Sequence, residues 1–516
     1  MLHTDVLIVG LGPIGAILAG LLVRLGLTVK VVERDLDVYK QPRAIVLDDE
    51  VVRQLNLLGV ADEVLAHSKP AKGYEFLNSN REVLTRRPPF LGKTPTGYHP
   101  ANLFHQPSME RAVRAMLAKE PAIDIELGIE FLALEQDVDG VNAIFRGPDG
   151  LRELKAKTLI GCDGGRSLVR RIMDIQMEDL NFDEPWVVVD VKVLTDDTGL
   201  SENGVQLCDP SRPTTCVPSG PGRHRWEFML KPGETNADVT NPDSLRRWIS
   251  AWTDPDKIEL ERSAVYRFHG LVAKHWRRGR AMIIGDAAHQ MPPFMGQGLC
   301  AGARDACNLA WKLNSVLRGE APWEFLDTVQ EERIPHVKEV TKGAIAMGKT
   351  VCVTDPEEAA RRDAQMMEDH RSGKGFAFPG VPTICAGVMD DEAAGTVAPE
   401  PFCGSDTDPQ RIDDVVGYVP LLILKDAADV ADAHVAALRK TSPDLAIAAL
   451  SGEANGVHPL LDNDGFMAAA MGGKQAALIK PDRIIFGTDD LPAIAEAWHR
   501  YLSGEMLGHR AERRAA

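Results

Sequence analysis

The chain is expected to be an α/β protein, and three observations carry that expectation. A strand–helix–strand unit opens the sequence around a glycine-rich turn. Two more short apolar strands, far along the chain, each run into a turn of glycine and aspartate. Between them lies a segment of strand-like runs punctuated by proline and glycine. Together they describe a Rossmann-type parallel sheet interleaved with a mixed sheet.

Residues 5–9 (DVLIV) are a β-branched apolar run, the pattern of a parallel strand buried on both faces. Gly10-Leu11-Gly12-Pro13-Ile14-Gly15 follows, then a helical run with small Ala16 and Ala19 that stops at Gly26. A second strand over residues 28–32 ends at Glu33, 21 residues after Gly12. This is a GxGxxG fingerprint in its full βαβ context. Gly10 permits the tight turn, Gly12 lets a pyrophosphate approach the backbone, and Gly15 lets helix and strand pack closely. The helix start faces the phosphates, and Glu33 accepts hydrogen bonds from a ribose. The motif leaves NAD or FAD open.

Residues 158–162 form a strand leading into Asp163-Gly164-Gly165-Arg166-Ser167 and a basic helix start. Residues 281–284 form another, ending in Gly285-Asp286-Ala287-Ala288-His289 and passing through Pro292-Pro293 and Gly296-Gln297-Gly298 into a long helix. Ala306, Leu309, Ala310, Leu313, Val316 and Leu317 give that helix one buried face by their spacing. Asp286 ends a strand where α/β sheets bind ligands, and its carboxylate suits sugar or ribityl hydroxyls. Glycines near 296–298 admit backbone amides to a ring, with the positive end of the helix behind them. His289, Cys300 and Cys307 are read as packing residues and Gln297 as a loop residue.

GxGxxG with Glu33-Arg34, then Pro42-Arg43-Ala44, the Asp163-Gly164 motif and GDAAHxxPPxxGQG together resemble the class A flavoprotein monooxygenases, the single-component FAD-dependent aromatic hydroxylases. The stretches QPRAIVLDDE (41–50), CDPSRP (208–213), RWEFMLKPGET (225–235) and DACNLAWKL (305–313) are nearest to the branch with 3-(3-hydroxyphenyl)propionate and phenol hydroxylases. The resemblance implies a Rossmann-type FAD-binding domain (1–175 and 276–345) interleaved with a mixed-sheet substrate domain (176–275), with part of 80–105 joining the substrate sheet. It implies that Gly10, Gly12, Pro13, Ile14, Gly15, Glu33 and Arg34 hold the ADP half of FAD, with Arg43 against its phosphates. Gln106 would meet the ribityl chain or flavin edge. Asp163 would serve the pyrophosphate and passing NAD(P)H, and Asp286 the ribityl hydroxyls. Gly296, Gly298, Leu299 and Pro293 would border the flavin ring, and Arg225 would approach it. The implied reaction is hydroxylation of a phenolic ring with NAD(P)H and O2 through a flavin C4a-hydroperoxide. Candidates for handling the phenol are Tyr266, His269, His224 and Asp48, and a substrate carboxylate would pair with Arg223, Arg225 or Arg267. No second GxGxxG occurs, which agrees with a reductant that binds transiently. An FAD dehydrogenase or reductase of the same fold, and a polyketide or heteroaromatic ring hydroxylase, are the competing readings.

Residues 346–408 read as a connector, with a helix around 356–369. The tail over 409–504 resembles the thioredoxin-like domain of phenol hydroxylase relatives, with strands at 418–424, 445–449, 465–470 and 476–480. With no CxxC pair it has no basis for thiol–disulfide chemistry, so a structural role or a homodimer contact is expected. Composition narrows the partners further. A net charge of −17 disfavours nucleic acid and anionic membranes. Eight dispersed cysteines lack metal-ligand spacing and suit a reduced cytoplasmic enzyme, and the apolar run 15–22 is too short to span a bilayer.

Overall fold

The computed structural model describes residues 4–40, 43–87, 92–374, 378–405 and 407–505, so Pro42 of the 42–44 motif lies outside the described residues. The first sheet runs in the order Arg277–Arg278, Ala281–Ile283, Gly150–Gly161, Thr4–Val9, Val29–Glu33, Ile123–Leu127. Its core strands are parallel, with Val9 beside both Gly161 and Val32, and Gly161 beside Ile283. This register brings the carboxyl ends of three strands to one edge. The turns that follow, at Gly10, Asp163 and Asp286, therefore gather there although they are far apart in the chain. The strand expected at 158–162 is the end of a longer one. Its polar first half pairs with Val141–Gly147 in an antiparallel hairpin, where exposed alternate residues are tolerated.

The second sheet has eight strands, in the order His289–Gln290, Ile258–Ala273, Met177–Val193, Arg223–Met229, Thr214–Pro218, Gly204–Leu207, Tyr74–Leu77, Val83–Arg87. The part of 80–105 expected to join this sheet is the strand Val83–Arg87, and Tyr74–Leu77, just before that range, brings it in by pairing in parallel with Gly204–Leu207. Asn102–Phe104 joins a separate small sheet.

The helix Gly298–Leu317 crosses the middle of the molecule and is buried nearly all round, not on one face. Its apolar residues meet the first domain, and its polar ones (Arg304, Asp305, Asn308, Lys312) each bond to partners on neighbouring elements. The next helix, Asp327–Val351, continues past the expected start of the connector, and Pro356–Arg371 forms another.

The carboxyl-terminal sheet has seven strands. Its outer hairpin pairs Phe402–Ser405 with Asp408–Arg411 and so straddles the boundary expected at 408. The strand expected at 465–470 is instead the helix Phe466–Met471. Three alanines favour helix, Met467 and Met471 bury one face, and left-handed Gly465 and Gly472 close both ends. Among the described residues no helix is long and apolar enough to cross a membrane.

Candidate active site

At the first turn Gly10 has φ +103°, and a Cβ there would lie 2.5 Å from the Cys162 carbonyl oxygen. A Cβ on Gly15 would lie 2.0 Å from the Gly10 oxygen, so neither tolerates a side chain. At Gly12 a Cβ would meet nothing within 4 Å, because it would point into open cavity. Pro13 starts the helix behind it. Glu33 accepts from the Leu11 N–H (2.7 Å) and the Asp35 N–H (3.0 Å), which sets its carboxylate beside the glycine turn. A carboxylate offers about four acceptor sites, so capacity remains for ribose hydroxyls. Arg34 is exposed beside Asp35.

Asp163 uses Oδ2 to accept from the Leu168 and Val169 N–H groups at 2.7 and 3.1 Å, while its buried Oδ1 has no hydrogen-bond partner among the described residues. Asp286 sits in the one-turn helix Gly285–Ala287 and is exposed to the cavity. Its pKa is raised by desolvation, against the pull of His289 and Arg43. Arg43 lies over the Tyr39 ring at 4.7 Å. Gln106 accepts from the Ala44 N–H at 2.7 Å and donates to Glu110 at 2.8 Å, which makes it the fastener of the Arg43 segment. Gly296 is left-handed (φ +66°) and, with Pro293 and the first helical residues Gly298 and Leu299, lines the cavity where the central helix begins. An orphaned Asp163 oxygen, an open Gly12 and a cavity-facing Asp286 fit a dinucleotide that carries a ring system.

These groups line one continuous cavity of 1830 Å³. A single small-ligand pocket is typically about 300–1,000 Å³, so there is room for a second molecule. The opposite wall is the second sheet. Strand alternation sends Arg225 and Glu227 to the cavity, and His224 and Trp226 to the other face. Arg225 forms a bidentate pair with Asp190 (2.7 and 3.1 Å) and donates to the Arg43 carbonyl at 2.6 Å, which ties the sheet to the wall of glycine turns. His224 is thereby excluded from the cavity. It packs against Cys216 and Trp226, where burial lowers its pKa to about 4.

Tyr266 lines the cavity beneath Arg262, whose guanidinium lies 4.8 Å from its ring. His269 also lines it, 3.4 Å from Asp183. Arg267 is held by Asp183 at 2.9 and 2.8 Å, and Arg223 by Glu261 at 3.2 Å. Asp48 has a different task from the one expected. It caps the helix Asp49–Leu57 through the Val51 N–H (3.0 Å) and accepts from Arg304 at 2.5 Å, while Arg304 also holds Glu50 and Gln297. Both carboxylate oxygens of Asp48 are therefore occupied. His289 is buried against Trp276 with Nε2 2.7 Å from Asp305, in agreement with the packing role expected for it.

A polar row on the cavity floor lies beyond Arg225, the last of this strand's residues expected at the site. Glu227 pairs across the sheet with Thr215, and Thr215 with Gln206. Thr215 donates to Gln206 at 2.8 Å, and Gln206 donates to the Tyr74 hydroxyl at 2.5 Å. The alternation in His224-Arg225-Trp226-Glu227 was the available signal, but the partners come from three other strands. Phe268, Phe294, Met295, Met347 and Phe378 supply the apolar remainder.

A family model described as FAD binding domain matches residues 3–344. A probable NADH-specific resorcinol 4-hydroxylase of Rhodococcus jostii (strain RHA1) is 32% identical over 492 residues, covering 94% of this chain and 91% of the relative. A 3-(3-hydroxy-phenyl)propionate/3-hydroxycinnamic acid hydroxylase of Klebsiella pneumoniae subsp. pneumoniae is 35% identical over 364 residues, covering 70% of this chain and 65% of the relative. Among solved structures, aklavinone-11 hydroxylase in ternary complex with FAD and aklavinone superposes with a TM-score of 0.77 at 25% identity, covering 97% of this chain and 99% of the other. The p-nitrophenol 4-monooxygenase of Pseudomonas putida DLL-E4 gives 0.66 at 26% identity, covering 72% and 95%.

Proposed function

The chain belongs to the FAD binding domain family, and on that premise we propose that it is a single-component FAD-dependent monooxygenase hydroxylating a phenolic ring with NAD(P)H and O2. The observation that carries this reading is the joined cavity, with dinucleotide turns on one wall and a half-apolar, half-polar pocket on the other. Gly10, Gly12, Pro13, Ile14, Gly15, Glu33, Arg34, Arg43 and Asp163 would hold the adenosine and phosphate half of FAD. Asp286, Pro293, Gly296, Gly298 and Leu299 would hold the ribityl and ring half. FAD bound there supplies hydride acceptance from NAD(P)H and activation of O2, chemistry that side chains lack. The chain itself orients the phenol on the sheet and keeps water from the reacting carbon behind Phe268, Phe294 and Met347.

Relatives act, by name, on resorcinol and on hydroxyphenylpropionate. Arg225 and Arg262 lie against Asp190, and Arg267 against Asp183, which supports an uncharged phenol over an acid. We read the tail as a thioredoxin-like structural unit. Its one cysteine, Cys403, is free, and all eight free cysteines support a reducing cytoplasmic setting. The test is a panel of resorcinols, phenolic acids and multi-ring phenols, scored by NADH and NADPH consumption, peroxide and product mass. Phenol-stimulated turnover with a product one oxygen heavier is expected. Reductant consumption indifferent to every phenol, with no oxygenated product, would instead mark a dehydrogenase or reductase.

A further inference from the structure

We infer that Glu227 is the residue that accepts the phenolic proton of the substrate, an assignment that rests on the hydroxylase reading above. The side chain is 7% exposed and lines the cavity, yet it takes no hydrogen bond from any described residue. Its ion-pair contact, Arg225 Nη1, stands 3.8 Å away, beyond hydrogen-bond reach. A buried carboxylate in a folded interior ordinarily collects such bonds, and those of Asp48, Asp190 and Asp305 are all engaged. Glu227 is instead left facing the space where a second molecule fits.

Its position along the strand suits the task. Arg225, two residues earlier on the same face, reaches the Arg43 segment beside the cofactor turns. One pleat repeat, about 7 Å, separates the two positions, so Glu227 stands on the substrate side of that contact. Tyr74, Gln206 and Thr215 continue the polar row, and the Tyr74 hydroxyl, already accepting from Gln206, keeps its own hydrogen for donation. A phenol lying on this floor meets an acceptor at Glu227 with donors alongside.

In the step itself the phenol O–H bond breaks, an O–H bond forms on a Glu227 carboxylate oxygen, and no electrons change hands. The ring left behind is a phenoxide, a stronger nucleophile at carbon. The groups facing Glu227 are Arg225, Asp190 on the neighbouring strand, Arg262 on the next, and Tyr74 at the row's end. Desolvation raises the Glu227 pKa to about 7, with Arg225 and Arg262 opposing and Asp190 adding to the rise. Proton transfer from a phenol of pKa about 10 is then uphill by about 10³, instead of the nearly 10⁶ facing an ordinary glutamate. The same two guanidinium groups favour the phenoxide that results.

The experiment compares wild-type holoenzyme with Glu227→Gln and Glu227→Asp. Resorcinol affinity is measured by calorimetry on the oxidised enzyme between pH 6 and 8, and kcat/KM by reductant consumption. Wild-type affinity should tighten about tenfold across that window as Glu227 ionises. Glu227→Gln should bind without pH dependence and lose about 100-fold or more in kcat/KM while keeping the FAD spectrum. Glu227→Asp should keep a displaced pH limb. A Glu227→Gln enzyme with the wild-type pH profile and kcat/KM within threefold overturns the assignment. So does a wild-type affinity that is flat from pH 6 to 8, which decides the matter even if the variant does not fold. A wild-type enzyme that binds phenol with this pH dependence yet never hydroxylates it would sink the hydroxylase reading alone.

Discussion

Replacing Glu332 by glutamine should destabilise the whole molecule and not merely loosen its tail. Glu332 is fully buried on the helix Asp327–Val351, where it accepts from Lys312 at 2.7 Å, Lys480 at 2.9 Å, Asn308 at 2.8 Å and Tyr501 at 2.5 Å. Lys312 belongs to the central helix, whereas Lys480 and Tyr501 belong to the tail, so one carboxylate joins three parts of the chain. These ammonium groups hold the Glu332 pKa down, from 4.5 to about 2. That fall is worth about 3 kcal/mol at 1.36 kcal/mol per pH unit. Lys312 runs the other way: burial, with Lys480 adding to it, lowers its pKa from 10.5 to about 8. The cluster as a whole is therefore nearly neutral, but breaking it is costly.

Removing the charge from Glu332 strands two buried ammonium groups, at about 3–5 kcal/mol. With roughly 2 cal/mol/K of unfolding entropy per residue, 516 residues give about 1 kcal/mol/K, so Tm should fall by about 3–5 °C in calorimetry. Replacing Glu332 by leucine together with Lys312 and Lys480 by methionine should restore most of that loss. The pH signs differ between the partners. The Glu332 contribution is full above pH 4.5 and is lost as pH falls toward 2, a slope that Glu332→Gln should lack. The Lys312 penalty is full below pH 8 and fades as pH rises toward 10.5. A single variant within 1 °C of wild type, or a tail that melts separately in the wild type, would refute the reasoning.

Two further outcomes bear on the cofactor side. Asp286→Ala should fold but lose FAD on dialysis, because a cavity-facing carboxylate is removed without disturbing the core; protein that stays fully yellow would remove that role. Gly12→Val and Gly10→Val should part company. The first meets open space, so the apoprotein should keep its Tm within about 2 °C while FAD affinity falls at least tenfold. The second forces a Cβ to within 2.5 Å of a carbonyl oxygen at φ +103° and should fail to give stable protein. Equal behaviour of the two in thermal melts and FAD titrations would contradict this account.

The wall of glycine turns is legible in the sequence because its geometry is local. Gly10, Gly12 and Gly15 do their work within six residues of chain, while Glu33 ends, and Asp163 and Asp286 closely follow, strands whose apolar runs announce them. Asp48 and His224 show what local reading leaves open, and Arg225 lines the cavity as expected but with partners that no local pattern announces. Each is a polar residue near the site, but its role depends on how its element is placed and which partner reaches it. Arg304 captures Asp48, alternation turns His224 away, and Asp190 locks Arg225. The helix Phe466–Met471 failed differently: a short apolar run carries no period that separates helix from strand.

The sequence alone thus determined the parallel-sheet scaffold, the dinucleotide turns and the absence of a thiol pair in the tail, since each follows from residue type and spacing along one segment. Tertiary structure decided the polar cavity floor of Glu227, Thr215, Gln206 and Tyr74, which four strands assemble by register. It also decided that the tail is bound into the enzyme through Glu332, by an ion pair with Lys480 and a hydrogen bond from Tyr501, residues more than a hundred positions away. Register and burial are relations between segments, and no single stretch of chain contains them.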